Sequence, residues 1–215
     1  DAHLIVKKLK SDFPGLPVFL FAHSMGSFVA QGYAQKYGNG IAGMVLSGSN
    51  GSIGIMADLA RIIAKGEVRK HGRDERSEKL NALSFGSFNN AFKPNRTAFD
   101  WLTSVDDEVD KYIRDPYCGD VFPAGFFYDL AGFLKRIHQK ANLFRVPENL
   151  PIALFAGEID PVGGKKGVGK LYREYRGRGI TDLSMKLYPG ARHEILNEKN
   201  HEVVEQDIVR WIEQR

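Results

Sequence analysis

The sequence predicts an α/β fold: a mostly parallel sheet, helices on both of its faces, and a helical insertion in the middle. Three observations predict it. Short apolar runs bounded by Pro and Gly alternate with stretches whose apolar residues recur at helical spacing. The central part of the chain, 52–148, carries helical patterns and dense aromatics but no strong buried strand. A serine flanked by small residues stands where the first apolar run passes directly into a helical pattern.

Residues 1–10 read as a helix, with Leu4, Ile5 and Leu9 forming an apolar face against Lys7, Lys8 and Lys10. After Pro14 and Gly15, the run from Leu16 to Ala22 reads as a fully buried strand. Phe28, Val29, Gly32, Tyr33 and Tyr37 mark the helix that follows, and Gly38-Asn39-Gly40 stops it. Ile41 to Ser47 is the next buried strand, closed by Gly48-Ser49-Asn50-Gly51. Residues 52–148 then read as a cap or lid inserted between two strands. Its aromatics, dense from Phe85 to Phe144, are mostly explained by ordinary packing, and some are expected to line an apolar acyl pocket. The alternation resumes with a strand from Leu150 to Gly157, a loop from Glu158 to Gly164, a helix over 165–177 and a strand from Leu183 to Tyr188. Pro189-Gly190 and the loop Ala191 to Glu194 lead to a last amphipathic helix carrying Val203, Val204, Ile208, Trp211 and Ile212. The division is therefore a core over 1–51, a helical cap over 52–148, and the rest of the core over 149–215.

A chain of 215 residues suits one domain with a real core and an inserted subdomain. The net charge is +4, with a sequence pI of about 9.1. Basic residues gather in Arg61 to Lys79 and in Lys165 to Arg178. Acidic residues dilute both, so they read as solvated helix faces and not as a nucleic-acid surface. The single Cys118 excludes an intramolecular disulfide framework and fits a reducing, cytoplasmic compartment. No apolar run is long enough to span a bilayer. The histidines and Cys118 show no metal-ligand spacing, and neither a metal nor a cofactor is expected.

Three residues carry the chemistry. In a parallel sheet, functional loops follow the carboxyl ends of the strands. Ser24, Asp160 and His193 each follow a predicted strand, in the order nucleophile, acid, base. A Ser hydroxyl is a poor nucleophile until a base takes its proton. Histidine is the base matched to neutral pH, and a carboxylate fixes its tautomer and stabilises its charged form. Ala22-His23-Ser24-Met25-Gly26 reads as a nucleophile elbow in which Ala22 replaces the usual first Gly. Positions 22 and 26 are expected to be small because strand and helix backbones crowd there. The backbone N–H of Met25, at the helix start, is placed to donate to an oxyanion. Elbow geometry points His23 away from the reaction, and Glu158 is the one plausible substitute acid.

His23-Ser24-Met25-Gly26, Gly157 to Gly163, and Pro189 to Glu198 together resemble the bacterial lysophospholipase and monoacylglycerol-lipase-like α/β hydrolases, which are grouped with the serine aminopeptidase-type hydrolases. Arg96 to Leu102 and Asp115 to Gly119 resemble that family's lid. The resemblance covers essentially the whole chain. It implies an α/β-hydrolase fold, with Ser24 as nucleophile, Asp160 as acid and His193 as base. It also implies a small ester or monoacyl lipid as substrate and a lid that touches a lipid surface transiently. Family members have several strands before the segment matching residue 1, and their second oxyanion donor lies there. The chain is therefore expected to show about four strands and half an oxyanion hole. The intact protein is expected to have roughly 80 to 100 further N-terminal residues. Two other functions are carried alongside the esterase. One is a peptidase of the aminopeptidase type, which would need lid acids such as Asp100, Asp106, Asp107, Glu108 and Asp110 to hold a free amine. The other is a non-catalytic binding module on the same fold.

Overall fold

The structure, a computed structural model, describes residues 1–215. Its sheet has four strands in the order of the chain: β1 (Phe19–His23), β2 (Gly43–Ser47), β3 (Ile152–Gly157) and β4 (Leu183–Tyr188). All three pairings are parallel, with Phe19 opposite Gly43, Met44 opposite Ile152 and Ile152 opposite Leu183. The central strands β2 and β3 are buried along their whole length, as their unbroken apolar runs require.

The edge strands behave differently. β1 was expected to be fully buried, yet its residues are half-buried and Phe21 is exposed. The reason is its place in the sheet, since it has a neighbour on one side only.

Helices cover both faces. On one face lie α1 (Ala2–Asp12), α2 (Met25–Tyr37) and, after the insertion, the helix Gly164–Arg176. Their residues Val6, Ala30, Tyr33, Val168, Leu171 and Tyr175 join Met44, Leu46, Ile152 and Leu154 in the largest core cluster. On the other face the last helix, His201–Glu213, sets Val204 and Trp211 against Val45, Ala153, Phe155 and Tyr188.

The face of α1 is not the expected one. Leu4 and Ile5 are 66% and 62% exposed, and Val6 is the buried residue. The helix is oriented by its contact with α2: the His3 ring stacks on Tyr37 at 3.8 Å, and its Nδ1 lies 3.3 Å from the Tyr33 hydroxyl. That contact turns Leu4 and Ile5 outward.

Between β2 and β3 lie five helices: α3 (Ile55–His71), α4 (Glu78–Phe85), α5 (Asp106–Arg114), α6 (Ala124–Ile137) and α7 (Lys140–Leu143). No sheet strand interrupts them; Arg76 and Pro123 make an isolated bridge. Ser77 caps α4, its hydroxyl accepting the N–H of Leu80. α3 packs along α6, and Ala64, Leu80, Ala124 and Phe127 form a small core of their own. The helix Gly164–Arg176 is α8 and His201–Glu213 is α9. No helix is long and apolar enough to cross a membrane.

Candidate active site

The parallel sheet brings the ends of β1, β3 and β4 to one edge. Ser24 directly follows β1 and precedes α2. It has φ 52° and ψ −124°, and it is the only non-glycine residue with a positive φ. Such a conformation is strained, by about 1–3 kcal/mol, and persists only when its surroundings hold it. Here they do. The Ser24 N–H donates to the Ser47 carbonyl at 2.9 Å, and the Ser24 carbonyl accepts both the N–H of Ser27 (2.9 Å) and its hydroxyl (2.6 Å). The turn lifts the Ser24 hydroxyl off the sheet and leaves the Met25 N–H in the first turn of α2, where helix N–H groups lack intrahelical partners.

The three residues named from the sequence meet. Ser24 Oγ lies 2.8 Å from His193 Nε2, and His193 Nδ1 lies 3.0 Å from Asp160 Oδ1. Asp160 and His193 are 5% and 2% exposed. With a carboxylate beside Nδ1, that nitrogen carries the proton, and Nε2 is left to accept from the serine hydroxyl. The Val162 N–H also donates to Asp160 Oδ1, at 2.8 Å, which orients the carboxylate. The partner of His193 is thus Asp160, not the substitute Glu158.

One sequence expectation is corrected. Crowding at position 26 does not occur: a β-carbon on Gly26 would meet nothing within 4 Å. A glycine that is crowded beside the histidine ring is Gly48, at φ 57°, where a β-carbon would lie 2.8 Å from His193 Cε1 and 3.1 Å from His23 Cε1.

Several residues at the site were missed in the sequence. Beneath the elbow, the Ser27 hydroxyl reaches Ser49 Oγ at 2.8 Å, Gln31 Nε2 donates to the same oxygen at 3.0 Å, and Asn50 Nδ2 donates to the Val162 carbonyl at 2.8 Å. This chain ties the Ser24 turn to the loop that carries Asp160. The sequence offered only the polar i,i+4 pair Ser27 and Gln31 on the helix after Ser24; that both are fully buried is visible in the structure alone.

His23 does point away from the Ser24 hydroxyl, with its Nδ1 3.1 Å from Ser47 Oγ, but its ring lies 4.6 Å from that of His193. Burial, and then the neighbouring His193, lower its pKa to about 4, while Asp160 acts in the opposite sense. The folded state therefore keeps His23 neutral where the unfolded chain, with an ordinary value of 6.5, binds a proton. Its contribution to stability is fully present above about pH 6.5 and is lost as the pH falls toward 4. At one kcal-scale step per unit, that loss is at most about 3 kcal/mol. Urea unfolding from pH 7 to 4.5 is expected to show a smaller acid loss in His23→Gln than in the parent. Equal pH slopes in the two proteins would remove His23 as the cause.

The fold is that of the α/β hydrolases. Residues 1–200 match the family model described as Serine aminopeptidase, S33, and the chain belongs to that family. It is similar to the monoacylglycerol lipase of Mycolicibacterium smegmatis, at 25% identity over 99% of this chain and 68% of that protein. It is also similar to human monoglyceride lipase, at 28% identity over 98% of this chain and 63% of that protein. Among solved structures, a thermostable carboxyl esterase from Bacillus coagulans, in complex with glycerol, superposes with a TM-score of 0.88 at 28% identity, over 100% of this chain and 70% of that one. The chain thus spans about two thirds of the length of the curated relatives it matches.

Proposed function

We propose that the protein is a serine hydrolase that cleaves carboxylic esters of monoacyl lipids through an acyl-enzyme. The observation that carries this reading is the continuous relay from Ser24 Oγ through His193 to buried Asp160, at 2.8 and 3.0 Å. Ser24 attacks the ester carbonyl as His193 Nε2 takes its proton, and the Met25 N–H donates to the oxyanion. His193 returns the proton to the departing alcohol. Water then attacks the acyl carbon as His193 takes its proton, the bond from the acyl carbon to Ser24 Oγ breaks, His193 returns the proton to Oγ, and the acyl group leaves as the acid.

The peptidase alternative asks for free carboxylates to hold an amine. Arg96 engages Asp106 and Asp110, Lys111 engages Glu108, and Asp100 accepts the N–H groups of Arg96 and Thr97. Four of the five acids are thus engaged and Asp107 is the one left without a side-chain partner, which favours the ester. The lipid preference is supported by the names of the relatives and by α3. Ile55, Met56, Leu59 and Ile62 are exposed at helical spacing on one side of that helix, an arrangement suited to lying on a lipid surface.

A chain-length series of p-nitrophenyl esters on the intact protein tests the reading. Activity is expected to rise with acyl length. Ile62→Asp is expected to slow hydrolysis of monoacylglycerol presented in vesicles and to leave that of a soluble short ester unchanged. Activity confined to acetate would remove the lipid claim, and hydrolysis of amino-acid amides alone would select the peptidase.

A further inference from the structure

We infer that the segment Asp100–Ser104, between the short helical turn at Phe88–Phe92 and α5, is a positioning clamp for the catalytic histidine, and that Glu198 is its anchor. The inference rests on the hydrolase reading for its link to catalysis. The segment runs alongside the loop that carries His193, and the contacts between them are dense. The backbone N–H groups of His193 and Glu194 donate to the carbonyls of Trp101 (3.4 Å) and Leu102 (2.7 Å). The Thr103 hydroxyl donates to the Asn197 carbonyl at 2.7 Å. Arg192 Nη1 donates to the carbonyls of Asp100 and Thr103. The Trp101 ring lies 5.2 Å from that of His193 and is itself met edge-on by Phe88 at 5.0 Å.

Glu198 closes this arrangement. It is 3% exposed. Its carboxylate accepts the N–H of Arg192 at 2.8 Å from one side, and the N–H (3.1 Å) and hydroxyl of Ser104 from the other. One buried anion therefore holds the residue before the catalytic histidine and the end of the clamp segment. Hydrogen bonds to a charged acceptor are about twice as strong as neutral ones, and a buried charge that loses its donors is strongly penalised. The backbone of the histidine loop is thereby held by Trp101 and Leu102, and the His193 ring lies beside the rings of Trp101 and His23, each tilted to it.

One consequence follows. Glu198 is a positioning residue, acting on Ser24 only through the placement of His193. A displacement of a fraction of an ångström at Nε2 lengthens the 2.8 Å contact to Ser24 Oγ, and misplacements of about 1 Å are known to lower rates by about 100-fold.

The test uses Glu198→Gln, Ser104→Ala and Ser104→Thr in the intact protein, with two readouts. Amide hydrogen exchange at His193 and Glu194 reports the clamp without reference to any substrate. The rate of fluorophosphonate labelling reports the reactivity of Ser24, per folded molecule. In Glu198→Gln and Ser104→Ala, exchange is expected to accelerate and labelling to slow, each by about tenfold, with any ester KM within about threefold of the parent. Ser104→Thr keeps the hydroxyl and is expected to restore both. Should Glu198→Gln fail to fold, the Ser104 pair decides. Unchanged exchange, or unchanged labelling in a folded Ser104→Ala protein, overturns the inference. A parent protein that resists labelling, but whose exchange responds to the variants, keeps the clamp and overturns the hydrolase reading instead.

Discussion

Ser24→Ala is expected to lower kcat for ester hydrolysis in the intact protein by about a million-fold, and to abolish fluorophosphonate labelling, with the fold retained. The magnitude follows from how the site is built. The Ser24 hydroxyl is the group His193 Nε2 contacts, at 2.8 Å, and Nε2 makes no hydrogen bond to a second nucleophile. Removing Oγ leaves the Met25 N–H and substrate binding, which stabilise the transition state without forming a covalent bond. The fold is expected to survive because alanine keeps the same β-carbon at φ 52°. The bonds that hold the turn, from Ser24 N–H to Ser47 and from Ser27 to the Ser24 carbonyl, use backbone atoms of residue 24. Circular dichroism and thermal melts should therefore match the parent while turnover vanishes. Retained activity in a folded Ser24→Ala protein would sink the acyl-enzyme mechanism at Ser24 and require a different nucleophile, whereas a parent protein with neither turnover nor labelling would return the chain to the class of binding modules.

What could be read from the sequence and what could not divide along physical lines. β2 and β3 were legible because strands buried on both faces are written as unbroken apolar runs. The meeting of Ser24, Asp160 and His193 was legible because a parallel sheet sends all its strand ends to one edge, so three residues far apart in the chain need no further information to converge. The packing face of α1 was not, because Leu4 and Ile5 satisfy the helical period as well as Val6 does. The choice between them is made by His3 stacking on Tyr37, a contact across the chain. Glu198 belongs to a motif that resembles the family's, yet its task is set by Ser104, 94 residues away. A carboxylate on paper reads as surface, and its burial becomes visible only when its donors are in place.

Gly157→Ala is expected to be the most damaging single-methyl change in the core, and the reason lies in how two functional loops cross. Gly157 ends β3, just before the loop that carries Asp160. A β-carbon there would stand 1.9 Å from the Arg192 carbonyl oxygen and 2.2 Å from that of Ala191. Both are backbone atoms, so no side-chain rotation relieves the clash and the histidine loop itself must retreat. That loop is tied to the acid loop by the Ile159 N–H donating to the Ala191 carbonyl at 3.2 Å, and to Gly157's neighbour by the Glu158 N–H donating to Tyr188 at 3.0 Å. Pushing it away therefore breaks bonds between the loops and widens the 3.0 Å contact of Asp160 with His193. Overpacking a rigid interior costs about 1–3 kcal/mol, and backbone against backbone places this case at the upper end or beyond. Activity in whatever fraction folds is expected to fall by about 100-fold. Gly40→Ala is the matched control, since a β-carbon there meets nothing within 4 Å and the backbone carries no positive φ. Its stability is expected to stay within about 1 kcal/mol of the parent. Thermal melts and kcat on the two variants decide the matter: if Gly157→Ala melts and turns over like Gly40→Ala, the histidine loop has room that the crossing denies it, and this account of how the acid and base loops are held together fails.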